Sequence, residues 1–172
     1  MKSLYESIFD VDDNITDVDK GIVDNFLKKY LTKESYKNCV IRPKNNDGKY
    51  EVSGMNVHYN DDAMSLTNDL FVWVEISGDF CCNGCRSLKS LKGCPKVSGW
   101  DFECCGCDSL TSLEGAPEEV KGYFDCSDCK SLKSLKGAPK LVRRNFYCED
   151  NDGRFTVDDI KKVSKVRGAI YV

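Results

Sequence analysis

Three C-x2-C pairs, Cys82-x-x-Cys85, Cys104-x-x-Cys107 and Cys126-x-x-Cys129, have the clearest capacity for chemistry in this sequence. Eighteen residues separate each pair from the next. In a metalloprotein that spacing sets four thiolates around zinc. Other chemistry is poorly supplied. His58 is the sole histidine and has no partner at a catalytic spacing. Cys81 and Cys105 have acidic or neutral sequence neighbours, not the cations that lower a thiol pKa. Asp10-x-Asp12-x-Asn14 opens like a calcium loop, but Ile15 stands where Gly is needed and Gly21 where Glu is needed. No phosphate-cradling glycine loop occurs. No nucleophile, base and orienting group can be assembled, so neither an enzyme nor a cofactor is expected.

The cysteines belong to a larger pattern. Phe80, Phe102, Phe124 and Phe146 are each 22 residues apart, as are Cys82, Cys104, Cys126 and Cys148. Leu88, Leu110 and Leu132 keep the same period, followed by Leu91, Leu113 and Leu135, then by Gly93, Gly115 and Gly137. The unit reads F-x-C-x-x-C-x-S-L-x-S-L-x-G-[AC]-P plus six residues. So short a unit cannot close its own core and must stack on its neighbours as a solenoid. F-x-C has a period of two, so Phe and Cys point inward from one short strand. In this frame the C-x2-C cysteines fall on core positions, where a free thiol behaves as a small hydrophobe with a weak donor. A buried, reduced, metal-free ladder is therefore expected, with a zinc-binding module as the alternative.

The pattern resembles the leucine-rich repeat family, whose L-x-L-x-x-N/C-x-x-L matches Phe124-x-Cys126-x-x-Cys129-x-x-Leu132. Cys85, Cys107 and Cys129 stand where that family carries its asparagine ladder, and Asn151 follows Cys129 by 22 residues. Phe and Cys on the strand depart from the family's leucines. A closer likeness is to short S-L-x-S-L-x-G-A-P repeat proteins of tailed phages and gut bacteria, which end in a phrase like Phe155-Thr-Val-Asp-Asp-Ile-Lys-Lys-Val through Gly168-Ala-Ile-Tyr-Val172. The resemblance implies a short leucine-rich solenoid with a parallel β-sheet and no assigned reaction.

The flanks read as caps. Val18, Ile22, Val23, Phe26, Leu27, Tyr30 and Leu31 have helical spacing, which predicts a helix over 16–31 with Thr16 and Asp19 as its capping box. A shorter helix is expected over Met1–Phe9. Cys39-Val-Ile-Arg-Pro and Lys49-Tyr-Glu-Val predict two strands around an Asn45-Asn-Asp-Gly48 turn. Val57-x-Tyr59 and Ser65-Leu66 read as a degenerate first repeat. Thr156 and Asp159 begin a short helix, and a strand follows over 167–172. The expected organisation is an N-terminal helix and β cap over 1–75, repeats over 76–154 and a C-terminal helix-strand cap over 155–172.

Charge separates the two sides of the unit. The outward strand and turn positions include Asp79, Asp101, Glu103, Asp125, Asp128, Glu149 and Asp150, with Tyr123 and Tyr147 and no Lys or Arg. In a leucine-rich solenoid these positions form the concave binding face. On the return side Arg86, Asp108 and Lys130 align, as do Lys92, Glu114 and Lys136, and Lys96, Glu118 and Lys140. Alternating signs in a column stabilise stacked neighbours, and like signs cost. The nine acidic and aromatic residues are thus the candidate partner-binding set. The expected function is a non-enzymatic module that binds a basic protein surface. If the phage likeness holds, that surface belongs to a host defence or nucleic-acid-handling protein; a structural virion component ranks below it. A net charge of −3 argues against a strongly basic binder that contacts nucleic acid directly. The longest apolar runs are far below the ~20 residues of a membrane span. The absence of an apolar leader and the odd number of cysteines, 11, point to a reducing cytoplasm, that of the host cell for a phage protein.

Overall fold

The computed structural model describes residues 17–172; the Met1–Phe9 helix, Thr16 and the calcium-like positions Asp10, Asp12, Asn14 and Ile15 lie outside them. The chain begins with α1 (Asp17–Tyr30) and α2 (Lys33–Lys37), then β1 (Cys39–Lys44), β2 (Tyr50–Gly54), β3 (Val57–His58) and β4 (Phe71–Ile76). The repeats supply β5 (Phe80–Cys81), β6 (Val97–Ser98), β7 (Phe102–Glu103), β8 (Glu119–Val120), β9 (Phe124–Asp125), β10 (Leu141–Val142) and β11 (Phe146–Tyr147). α3 (Val157–Val163), β12 (Lys165–Val166) and β13 (Ile170–Tyr171) close the fold.

The result is a β-solenoid of about six turns. Each turn contributes one strand to each of two sheets. One sheet has six strands in the order β13-β11-β9-β7-β5-β3, and the other has seven in the order β1-β2-β4-β6-β8-β10-β12. All pairings are parallel except the β1–β2 hairpin. The expected Phe column is present: Phe80, Phe102, Phe124 and Phe146 are fully buried, and the first three rings stack at 5.2 and 5.5 Å. The two leucine columns are buried beside them.

The second sheet departs from the expected single sheet. Its strands β6, β8 and β10 form from the six residues after Pro95, Pro117 and Pro139, where Ser98, Val120 and Val142 point inward at 22-residue spacing. Each of these strands has two residues and contributes one side chain to the core, too little for a hydrophobic pattern to register.

The caps follow local chemistry. α1 buries Val23, Leu27 and Tyr30, whereas Val18 and Ile22 of the expected stripe stay exposed. Asn45 turns the β1–β2 hairpin by accepting the N–H groups of Asp47 and Lys49 at 3.1 and 3.0 Å. β3 pairs with β5, Val57 against Phe80, so the degenerate first repeat is a turn of the solenoid. At the other end Thr156 and Asp159 form a reciprocal capping box that starts α3. α3 buries Ile160, and the chain then adds β12 and β13 to the two sheets. Among the described residues no helix is long and apolar enough to cross a membrane.

Candidate interaction face on the six-stranded sheet

Alternation along the two-residue strands sends Phe inward and its successor outward. The outward column of the six-stranded sheet is therefore His58, Cys81, Glu103, Asp125, Tyr147 and Tyr171, each in register with the next. Asp79, Asp101, Tyr123 and Asn145 precede the phenylalanines in a flanking column. Asn83, Cys105, Ser127 and Glu149 form the column on the other side. Asp128 and Asp150 sit at the turn that leaves the sheet. All nine candidate residues thus lie on this face or its rim.

Their work is not uniform. The flanking column ties turn to turn: Asp79 Oδ1 accepts the Asp101 N–H at 3.2 Å and Asp101 Oδ1 the Tyr123 N–H at 2.8 Å. Asn56 and Asn145 do the same for Asp79 and Ala169, both at 3.0 Å. These side chains fold over the backbone of the next turn so closely that a Cβ at Gly122 would lie 1.9 Å from Asp101 Oδ1. Asp128 and Asp150 occupy a left-handed backbone, φ 55° and 57°, in the column that begins with Gly84 and Gly106. Asp is among the few non-glycine residues that tolerate this region. Four of the seven acids therefore have structural reasons to be where they are.

Glu103, Asp125 and Glu149 remain. Glu103 and Asp125 are direct register partners on β7 and β9, and none of the three forms an ion pair among the described residues. Glu103 accepts an amide N–H of Asn83 at 2.7 Å, and Asp125 accepts the Ser127 N–H at 2.9 Å. Burial, the Asp79 charge and the Glu103 charge together hold the Asp101 carboxyl above its ordinary value, against the Tyr123 N–H that favours its anion. Burial and then the Glu103 charge push the Tyr123 phenol up. Tyr147 stacks on Tyr171 at 4.8 Å and meets Tyr123 edge-on at 5.6 Å. Tyr171 was not among the candidates because the last turn is two residues longer than the repeat, which puts Ile170 opposite Phe146.

The connecting arm shows the expected compensation. Arg86 faces Asp108 at 3.6 Å, Lys136 faces Glu114 at 2.5 Å and Lys140 faces Glu118 at 3.1 Å. Lys130 differs and pairs with Asp128 of its own turn.

The C-x2-C thiols form a ladder. Cys107 Sγ donates to the Cys82 carbonyl at 3.2 Å and Cys129 Sγ to the Cys104 carbonyl at 3.1 Å. Asn151 Nδ2 makes the same bond to the Cys126 carbonyl at 3.0 Å. Among the described residues no three His, Cys, Asp or Glu side chains converge on a point that could hold a metal. Burial pushes the Cys81 and Cys105 thiols up to about 11 and Cys85 up to about 12. Thiols so reluctant to ionise are poor nucleophiles at neutral pH.

Beside the first strand of the face, a cleft of about 380 Å³ is lined in part by Glu34, Asn38, Met55 and His58. Its hydroxyls are committed: Thr32 caps α2 by accepting the Ser35 N–H at 3.3 Å, and the Ser35 hydroxyl accepts the His58 N–H at 2.9 Å. Compared with protein-family models, curated proteins and solved structures, the chain matches none.

Proposed function

We propose that this chain is a non-enzymatic protein-binding module of leucine-rich-repeat type, and that the outer face of its six-stranded sheet receives a basic protein surface. The observation that carries this reading is the stacking of Glu103 on Asp125 without a compensating cation, on a solenoid whose connecting arm pairs its charges turn by turn. Like charges in register cost stability, and a cationic partner would offset that cost. Tyr123 and Tyr147 adjoin the two carboxylates, Tyr171 stacks on Tyr147, and the three offer flat, rigid surfaces for a guanidinium or an apolar stem. The cysteine and asparagine column supports the leucine-rich repeat identity, since thiol and amide make the same inter-turn bond. The likeness to phage repeat proteins makes a host defence or nucleic-acid-handling protein the partner class to test first.

The test is capture of such basic proteins, and of a fluorescent arginine-rich peptide, at low and high salt. Binding is expected to weaken steeply with salt. Glu103→Lys with Asp125→Lys should abolish it while the melting temperature holds or rises. Asp101 is a poor choice for reversal, because its side chain ties its turn to the next through the Tyr123 N–H, whereas Asp125 bonds the Ser127 N–H of its own turn. Binding that survives the double reversal in a folded protein would overturn the proposal.

A further inference from the structure

The seven-stranded sheet carries a second charged face. Lys121, Arg143 and Arg167 occupy one column, because their N–H groups donate to Ser98, Val120 and Val142 of the preceding turn at 3.2, 3.0 and 3.0 Å. Arg144 follows Arg143, and Lys165 projects from β12 beside Leu141. All five side chains are exposed. Two carboxylates adjoin them: Glu119, paired with Arg143 at 2.6 Å, and Asp101, whose charge acts on Arg144. Lys121, Lys165 and Arg167 make no ion pair among the described residues. Like charges stacked in adjacent turns carry the same cost here as on the acidic face.

An indole adjoins the strip. Trp100 lies in the same corner column as Gly122 and Arg144, each donating its N–H to the carbonyl of the one before. The Asp101 side chain fills the space over Gly122, and the Arg144 guanidinium sits 5.2 Å from the indole centroid. Trp100 is 53% exposed, which is costly for so large an apolar ring in water. From Trp100 to Arg167 the strip crosses three turn spacings, ~14 Å at ~4.8 Å per turn.

We propose that this strip binds single-stranded nucleic acid, with Lys121, Arg143, Arg144, Lys165 and Arg167 on the phosphates and Trp100 stacked on a base. A row of cations that tracks a backbone beside an aromatic platform is the chemistry such strands require. A duplex keeps its bases stacked on one another and leaves the indole without a partner. The acidic face of a second copy offers two uncompensated carboxylates against five cations. The strip uses neither Glu103 nor Asp125, and it meets the acidic face at the corner where Asp101 neighbours Arg144.

The protein supplies its own reporter. Of its two tryptophans, Trp73 is buried and donates to the Tyr59 hydroxyl at 2.8 Å, so a stacked base reaches Trp100 alone. The full chain is titrated with short fluorescein-labelled oligo(dT) at low salt, with anisotropy and tryptophan fluorescence followed together. The expected result is saturable binding with quenching and a weaker response to duplex of equal length. With Arg143 held by Glu119 and Arg144 over the indole, Lys121, Lys165 and Arg167 neutralise roughly three phosphates, and log affinity should fall with log salt at a slope near −2. Lys121→Glu with Arg167→Glu should weaken binding at least tenfold with melting unchanged. Trp100→Phe should remove the quench, and Glu103→Lys with Asp125→Lys should leave affinity intact. Any of four results would overturn the proposal: no binding at low salt, binding without quenching, binding indifferent to the Lys121 and Arg167 reversal, or duplex preferred. Sedimentation that shows self-association lost on reversal of either face, without oligonucleotide binding, would assign the strip to a second copy instead.

Discussion

On the six-stranded sheet Glu103 lies in register with Asp125; on the seven-stranded sheet Lys121 is followed by Arg143 and Arg167. Both faces are wound from the same 22-residue unit and share one interior. Between them, the connecting arm alternates sign and closes its pairs. A solenoid places equivalent residues of successive units side by side, so a change at one position of the unit alters one face and leaves the others alone. Net charge is a poor guide to such a molecule, because −3 is what remains after an acidic and a basic face are added together.

The interior is where the two faces stop being independent. Phe102→Ala opens the middle of the stacked column and should cost ~3–5 kcal/mol in chemical denaturation. Because the column supports both sheets, binding at either face should fall in parallel with the folded fraction. Loss at one face alone, in a folded protein, would show that the sheets are mechanically separate.

The cysteine column gives a smaller effect with a sharper contrast. Cys129→Ala removes the bond to the Cys104 carbonyl and should cost about 1 kcal/mol. Cys129→Asn should cost little or nothing, because Asn151 already makes that bond one turn later. Unfolding of the Asn variant, with stoichiometric zinc in the parent protein, would overturn the ladder.

Asp101 tests whether acidity on the six-stranded face is structural. Its pKa is raised by burial and then by neighbouring charges, so ionisation costs the folded state. That cost is absent below the unfolded carboxylate value of ~3.9 and complete above the folded value. Asp101→Asn keeps the acceptor for the Tyr123 N–H, as Asn145 does for Ala169. The variant should be the more stable protein at pH 7, and the gain should vanish as the pH falls toward ~3.9. A less stable variant at pH 7 would mean that the charge itself holds the turn.

The smallest effect belongs to the arm. Lys136 and Glu114 are 76% and 41% exposed. Exposed pairs contribute little, so Lys136→Ala should leave the denaturation midpoint and both proposed binding activities unchanged. A marked loss would show that the arm, and not the sheets, organises the surface.

The Phe, Cys and Leu columns were legible in the sequence because each repeats one residue type at one period. The second sheet was not: Ser98, Val120 and Val142 share a column but not a residue type, and one inward side chain per strand leaves no alternation to read. The nine candidate residues were traced to one face because strand alternation assigns sides without coordinates. What they do there was hidden, since a carboxylate folded over a backbone N–H reads the same as one in water. Asp128 and Asp150 carried a signal in their alignment with Gly84 and Gly106, where a change from Gly to Asp marks a left-handed turn. The basic strip escaped because its residues occupy the variable six, where Gly99 and Lys121 share a column.

The register bonds that tie each turn to the next have a consequence for length. From β5 to β11 the columns repeat at 22 residues, and each turn rests on its two neighbours alone. Excision of residues 102–123 would bring Phe124 to rest on Phe80 and Cys126 on Cys82, with both caps undisturbed. Insertion of a unit would do the reverse. The protein is in that sense a ruler, graduated in steps of ~4.8 Å, whose reach along a partner is set by the number of units between two fixed ends.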